Sequence, residues 1–182
     1  IKFQIGPSAN GKENAVLCSG QTIKLPNGKF NSIYLLAMAI NGDTEGTFKV
    51  DGRATPLQIE DWSGFIGQWD NRVFQDEPPA LSYSVNSPLD HLDAGFIKRA
   101  PLAWYCSHRH QQDGSDQVYT YSYLFKYRLD AHTGAKTLTL PDNSRIRIVA
   151  VSLVQDENDA TVATLPLYDD FTGRTAIQLH ND

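Results

Sequence analysis

The feature that most restricts this chain is a period of two. Apolar and polar residues alternate in short runs, and turn-forming residues end each run. Gln21 to Leu25 alternates and stops at Pro26-Asn27-Gly28. Ile33 to Ile40 is almost continuously apolar and is closed by Asn41-Gly42-Asp43, the pattern of a central strand buried on both faces. Thr47 to Val50 and Thr55 to Ile59 flank Asp51-Gly52, a pair suited to the positive φ angles of a two-residue hairpin turn. Downstream, Leu102 to Cys106, Gln117 to Leu129, Lys136 to Leu140 and Arg145 to Leu153 read as strands, with a turn at Pro141 to Ser144. No segment holds a 3.6-residue period over three turns. The pattern predicts an all-β fold, a two-sheet antiparallel β-sandwich or jelly roll. Its core is expected at Leu35, Ala37, Ala39, Trp104, Leu124, Ile148 and Ala150. Phe74 to Gly95 carries Pro, Ser and Asp without a period and reads as a long surface loop. Residues 1–155 are expected to form the sandwich module, and residues 156–182 a C-terminal extension or exit linker.

The 182 residues, 41% of them hydrophobic, suit one domain with a sizeable core. The net charge of −5, with no cluster of Lys and Arg, argues against a nucleic-acid partner. No apolar run approaches the length of a membrane span. The chain begins at Ile1 rather than Met and reads as a mature or trimmed fragment, a domain cut from a longer protein being one such case. Cys18 and Cys106 are too few for a disulfide framework. They read as two free, buried thiols, with a single bridge as the alternative.

Asp61 to Arg72 packs two tryptophans, two glycines and a cluster of hydrogen-bonding side chains into twelve residues. An indole offers a flat apolar face, and Asp, Asn, Gln and Arg offer directed donors and acceptors. These are the parts of a sugar-binding surface and equally of a buried polar corner. If the module binds a sugar, the expected ligand residues are Trp62, Gln68, Trp69, Asp70, Asn71 and Arg72, with His108 and His110 as neighbours. In a strand, Cys106, His108 and His110 would share one face. Those types suit zinc, but nothing nearby in sequence completes a ligand set, and no metal site is expected. Asp61, Asp70, Asp90 and Asp93 are carboxylates of the kind glycoside hydrolysis uses, yet the sequence singles out no pair. No serine elbow, phosphate loop or dinucleotide fingerprint occurs, and no catalytic residue is assigned. Asp142, Asn143, Asp156, Glu157, Asn158 and Asp159 offer oxygens that suit calcium, without the spacing of an EF-hand loop. No cofactor is expected, a structural calcium being the alternative.

Five blocks, taken together, resemble a known family: Asn31 to Asp43, Asp61 to Arg72, Ser107 to His110, Tyr123 to Tyr127 and Lys136 to Asn143. The series is similar to a galactose-binding-like β-sandwich module found in large bacterial alpha-mannosidase-like proteins of glycoside hydrolase family 38. That resemblance implies a non-catalytic accessory module, exported to the periplasm or outside the cell. Its partner would be the catalytic domain of the same protein; whether the module itself also binds a carbohydrate ligand is left open by the resemblance. The metal-dependent active site of those enzymes lies in a separate domain whose motifs are absent here. A purely structural spacer is the rival reading, and a small stand-alone hydrolase is a third. An exposed Trp62 or Trp69 favours binding, and burial of both favours the spacer.

Overall fold

The structure is a computed structural model, and it describes residues 1–7, 9, 11–69, 71–75, 88–93, 95–97 and 102–155. Those residues form thirteen strands and no helix. They are β1 (Val16–Leu17), β2 (Thr22–Lys24), β3 (Ser32–Ala39), β4 (Thr44–Val50), β5 (Arg53–Ile59), β6 (Gly67–Gln68), β7 (Asn71–Phe74), β8 (Leu89–Asp93), β9 (Phe96–Ile97), β10 (Leu102–His110), β11 (Asp116–Asp130), β12 (Thr137–Thr139) and β13 (Ile146–Val154). The chain divides into two compact units, Ile1–Gly64 with Ala100–Thr164, and Phe65–Arg99 with Leu165–Asp182.

The first unit holds the sandwich. One sheet has five strands in the order β1-β13-β3-β11-β10, the other four in the order β2-β12-β4-β5, and every pairing is antiparallel. β3 is the central strand its apolar run predicts, with seven of its eight residues buried. Lys126 reaches over the Tyr34 ring, its ammonium 5.2 Å from the centroid, so the aliphatic stem of a charged residue adds to the cover on this strand. The strict alternation of β4 buries Thr44, Gly46, Phe48 and Val50 and exposes Glu45, Thr47 and Lys49. From the other sheet Tyr123, Phe125, Tyr127 and Leu129 of β11 and Ile146, Ile148 and Ala150 of β13 complete the core.

Two core expectations fail together. Trp104 is 51% exposed, and Leu124 is only half-buried. The two face each other in the β10–β11 ladder, so they share one side of the sheet. The buried side of β11 is the other one. Tyr123, Phe125, Tyr127 and Leu129 share one parity of β11 and are buried, and Leu124 falls on the other. The loop expected over Phe74 to Gly95 is also corrected in part. Phe74 ends β7, and Leu89–Asp93 is β8, its antiparallel partner; residues 76–87 lie outside those described. Backbone pairing supplies an order that these side chains do not announce. The second unit also pairs β6 with β9.

The Asp51-Gly52 turn has φ of 46° and 84°, left-handed at both central positions as a type I′ hairpin requires. The Asp51 carboxylate also ties this hairpin to β12. It accepts hydrogen bonds from Thr137 Oγ1 (2.8 Å), Thr137 N (2.8 Å) and Lys136 N (3.0 Å), and His132 Nε2 lies 3.2 Å away. The Thr137 hydroxyl first, then the backbone donors, holds its pKa below the ordinary value. A carboxylate with a lowered folded pKa stabilises fully above its unfolded pKa of about 3.9, and the contribution is lost as pH falls through the folded value. Asp51→Asn tolerates the same backbone conformation but turns an amide toward these donors. We expect it to lower Tm at pH 7, with the gap to wild type closing below about pH 4. A gap independent of pH between 7 and 2 would contradict the assignment.

Candidate functional site

The β10–β11 hairpin concentrates the chemistry of the sandwich unit. From Cys106 to His108 the register advances two residues on β10, while from Ser122 to Val118 it advances four on β11. The surplus on β11 is a bulge, a device that re-aims side chains near its own position. Tyr119 sits in it at a φ of 59°, uncommon for an aromatic residue, and is 82% exposed. Beyond the bulge His108 pairs with Val118, Arg109 with Gln117, and His110 with Asp116. The turn is closed by Gln111 N to Ser115 O (2.8 Å), with Gly114 at a φ of 83°. Asp113 Oδ1 accepts from Ser115 Oγ (2.6 Å) and Ser115 N (2.9 Å), which holds the Asp113 carboxyl below its usual range.

That geometry collects three metal-type donors. His110 Nδ1 lies 2.8 Å from Asp116 Oδ1, and His108 Nε2 lies 4.0 Å from the same oxygen. The two imidazole rings are 5.1 Å apart and nearly perpendicular, at 78°. One ligand atom from each of the three residues falls within 4.8 Å of the other two. Cys106 Sγ stands 3.9 Å from His108 Nδ1 and donates to the His108 carbonyl at 2.9 Å. Sequence reasoning placed His108 and His110 on one face but missed Asp116. The signal was present, since Asp113-Gly114 between two β runs is a hairpin turn that brings Asp116 opposite His110.

Trp62 is half-buried and locked. Its backbone N–H donates to Ala39 O (3.0 Å), its backbone carbonyl accepts from Tyr123 N (2.7 Å), and Ser63 bridges to Ser122. The Arg109 guanidinium covers its ring at 4.1 Å from the centroid and donates to Ser122 Oγ (3.0 Å) and Tyr121 O (3.2 Å). Asp61, 8% exposed, spends its carboxylate on Ser63 Oγ (2.6 Å), Ser63 N (2.8 Å) and Gly42 N (2.7 Å). These two residues form the buried polar corner that the segment's composition allowed.

The other expected ligand residues belong to the second unit. Trp69 is 85% exposed and Arg72 is exposed. Gln68 and Asn71 are placed by their backbones, opposite Phe96 and Asp93. Asp70 lies outside the described residues. Among the hydrolytic candidates Asp90 is engaged by His91 Nδ1 at 2.7 Å. Sequence reasoning did not anticipate the exposed aromatics of the sandwich unit, Trp104, Tyr105 and Tyr119.

A hollow of about 450 Å³ lies against the outer face of the four-stranded sheet, lined by Glu45, Thr47, Lys49, Thr139, Asp142 and Asn143 among others. Asn143 braces its wall, donating to Thr44 Oγ1 and Glu45 O at 3.0 Å each. Asp142 and Asn143 thus meet in one place, while Asp156, Glu157, Asn158 and Asp159 lie outside the described residues. Both cysteines are free: Cys18 is fully buried and Cys106 half-buried. Burial pushes the Cys18 thiol up to about 11.

Residues 1–157 match the model of the AziU2-like beta-sandwich domain. The chain belongs to the AziU2-like β-sandwich domain family. The five- and four-stranded sheets are the sandwich that this family's description names. No curated protein matches the chain. Among the described residues of this AziU2-like domain, no helix is long and apolar enough to cross a membrane.

Proposed function

We propose that this AziU2-like β-sandwich is a non-catalytic accessory module of an exported bacterial protein of the alpha-mannosidase-like kind, and that it binds carbohydrate through exposed aromatic side chains. The observation that carries the reading is Trp69, 85% exposed. A large apolar ring held in water has a surface cost, and the apolar C–H face of a pyranose is a partner that removes it. Arg72, three residues on in sequence, is exposed and offers a planar donor fork to paired hydroxyls. The resemblance of five sequence blocks to mannosidase-associated modules supports the accessory-module part of the reading. A spacer role is the second reading, and the corner built by Asp61, Trp62 and Arg109 favours it, because that half of the Asp61–Arg72 segment is committed to holding the fold.

A glycan array on the full chain, followed by titration of the best ligand, tests the proposal. A single module should bind at about 0.1–1 mM, roughly −4 to −5.5 kcal/mol. A tethered catalytic domain makes such affinity useful by raising the effective concentration. Trp69→Ala should weaken binding by roughly 2- to 12-fold, the equivalent of about 0.5–1.5 kcal/mol for one stacked ring, at unchanged Tm. No binding by the wild type across a broad array leaves the spacer reading in its place.

A further inference from the structure

We propose that His108, His110 and Asp116 form a surface site for a divalent transition metal of the zinc class, with at least one coordination position open to solvent or to an outside donor. The proposal stands apart from the carbohydrate reading, and it departs from the sequence expectation of no metal.

The donor set comes first. Two imidazoles and one carboxylate are the borderline and hard donors that suit zinc and its neighbours in the first transition row. Three protein ligands with a vacant fourth position are the arrangement of open zinc sites.

The geometry follows. Zinc–nitrogen and zinc–oxygen bonds of about 2.0–2.2 Å place tetrahedral donors roughly 3.4 Å apart. The observed separations of 2.8 Å and 4.0 Å to Asp116 Oδ1 bracket that value, and the third lies within 4.8 Å. Small side-chain rotations close the set. They are available, because the His108, His110 and Asp116 side chains are 36%, 73% and 52% exposed. A metal can therefore enter from solvent.

The framework is rigid where it needs to be. All three residues stand on paired strands rather than in the turn, and His110 and Asp116 are direct partners in the ladder. The bulge in β11 and the left-handed Tyr119 lie just beyond, where they set how this end of the hairpin sits.

One feature separates this cluster from an ordinary His–Asp ion pair. Two imidazoles rather than one present a nitrogen to the same Asp116 oxygen, His110 Nδ1 at 2.8 Å and His108 Nε2 at 4.0 Å. His108 Nδ1 stands beside Cys106 Sγ, the outer partner that orients a ligating imidazole.

The test is isothermal titration of zinc chloride into the tag-free full chain after stripping with a chelator. We expect one zinc per chain at this site and a rise in Tm with added zinc. His108→Ala and Asp116→Asn should each weaken zinc binding by at least about 10-fold, the lower end of what losing even an outer partner of a metal ligand costs. Asp116→Asn preserves side-chain shape, and the Tm of each variant in chelator confirms that it folds. His132→Ala removes the histidine beside Asp51 instead and should leave the affinity unchanged. Absence of zinc uptake by the wild type overturns the proposal. So does uptake that both His108→Ala and Asp116→Asn retain undiminished.

Discussion

Phe125→Ala should cost the sandwich about 3–5 kcal/mol, the usual range for deleting a fully buried ring. Phe125 is 0% exposed on β11, the strand between β3 and β10. It stands opposite Ala37 on one side and Leu102 on the other, with Tyr123 packed at 6.1 Å. Ala37 is small because Phe125 fills the space above it, so no neighbour on that side can grow into the cavity. For a chain of this size each kcal/mol moves Tm by about 2–4 °C, so the transition that reports the sandwich should fall by roughly 6–20 °C. Trp104→Ala, one strand away on an exposed surface, should stay within about 0.5 kcal/mol of wild type. Urea and thermal unfolding followed by near-ultraviolet circular dichroism measure both. A Tm drop of less than about 2 °C for Phe125→Ala would place the core elsewhere.

Gly46 is the second position where a small change has a large effect, and here the fault is too much atom rather than too little. It belongs to the inward row of β4, and a Cβ at that point would lie 2.5 Å from Ile146 Cδ1 and 3.0 Å from Pro141 Cγ. Ile146 is fully buried, and the Pro141 ring has little freedom to swing away. Gly46→Ala should therefore lose about 1–3 kcal/mol by overpacking. Gly46→Val adds two methyl groups to the same clash and should fail to give a cooperative unfolding transition. Soluble yield and urea midpoints of the pair decide it. An alanine variant as stable as wild type would show that the two sheets separate here more easily than their packing implies.

Much of the sandwich was legible in the sequence, and the reasons for the exceptions are physical. β3 announced itself because a strand covered on both sides has no polar face to interrupt the run. The β4–β5 hairpin did so because Asp51-Gly52 meets a backbone demand few other pairs meet. β11 was visible as a strand, and its phase was legible as well, since Tyr119, Tyr121, Tyr123, Phe125 and Tyr127 share one parity; the expectation of a buried Leu124 went against that row. An aromatic residue fits both a core and a wetted surface, so Trp62, Trp69 and Trp104 could not be ranked by exposure before their neighbours were known. β7 and β8 were missed because their order comes from pairing with each other. Asp116 was missed because a metal-type cluster on a hairpin is close in space and six residues apart in sequence from His110.

The chain leaves the sandwich after Ser63, which is bridged to Ser122, and returns at Leu102, which pairs with Phe125 on the same strand. Departure and return are thus tethered within a few residues of each other along β11. A stretch held this way at both ends has an entropic cost that grows only with the logarithm of its length, about 0.6 kcal/mol for each doubling. A change of chain length between the two anchors therefore has only a small entropic effect on the sandwich. The two anchors on β11 thus make the interval between Ser63 and Leu102 a place where an insertion carries a small entropic cost.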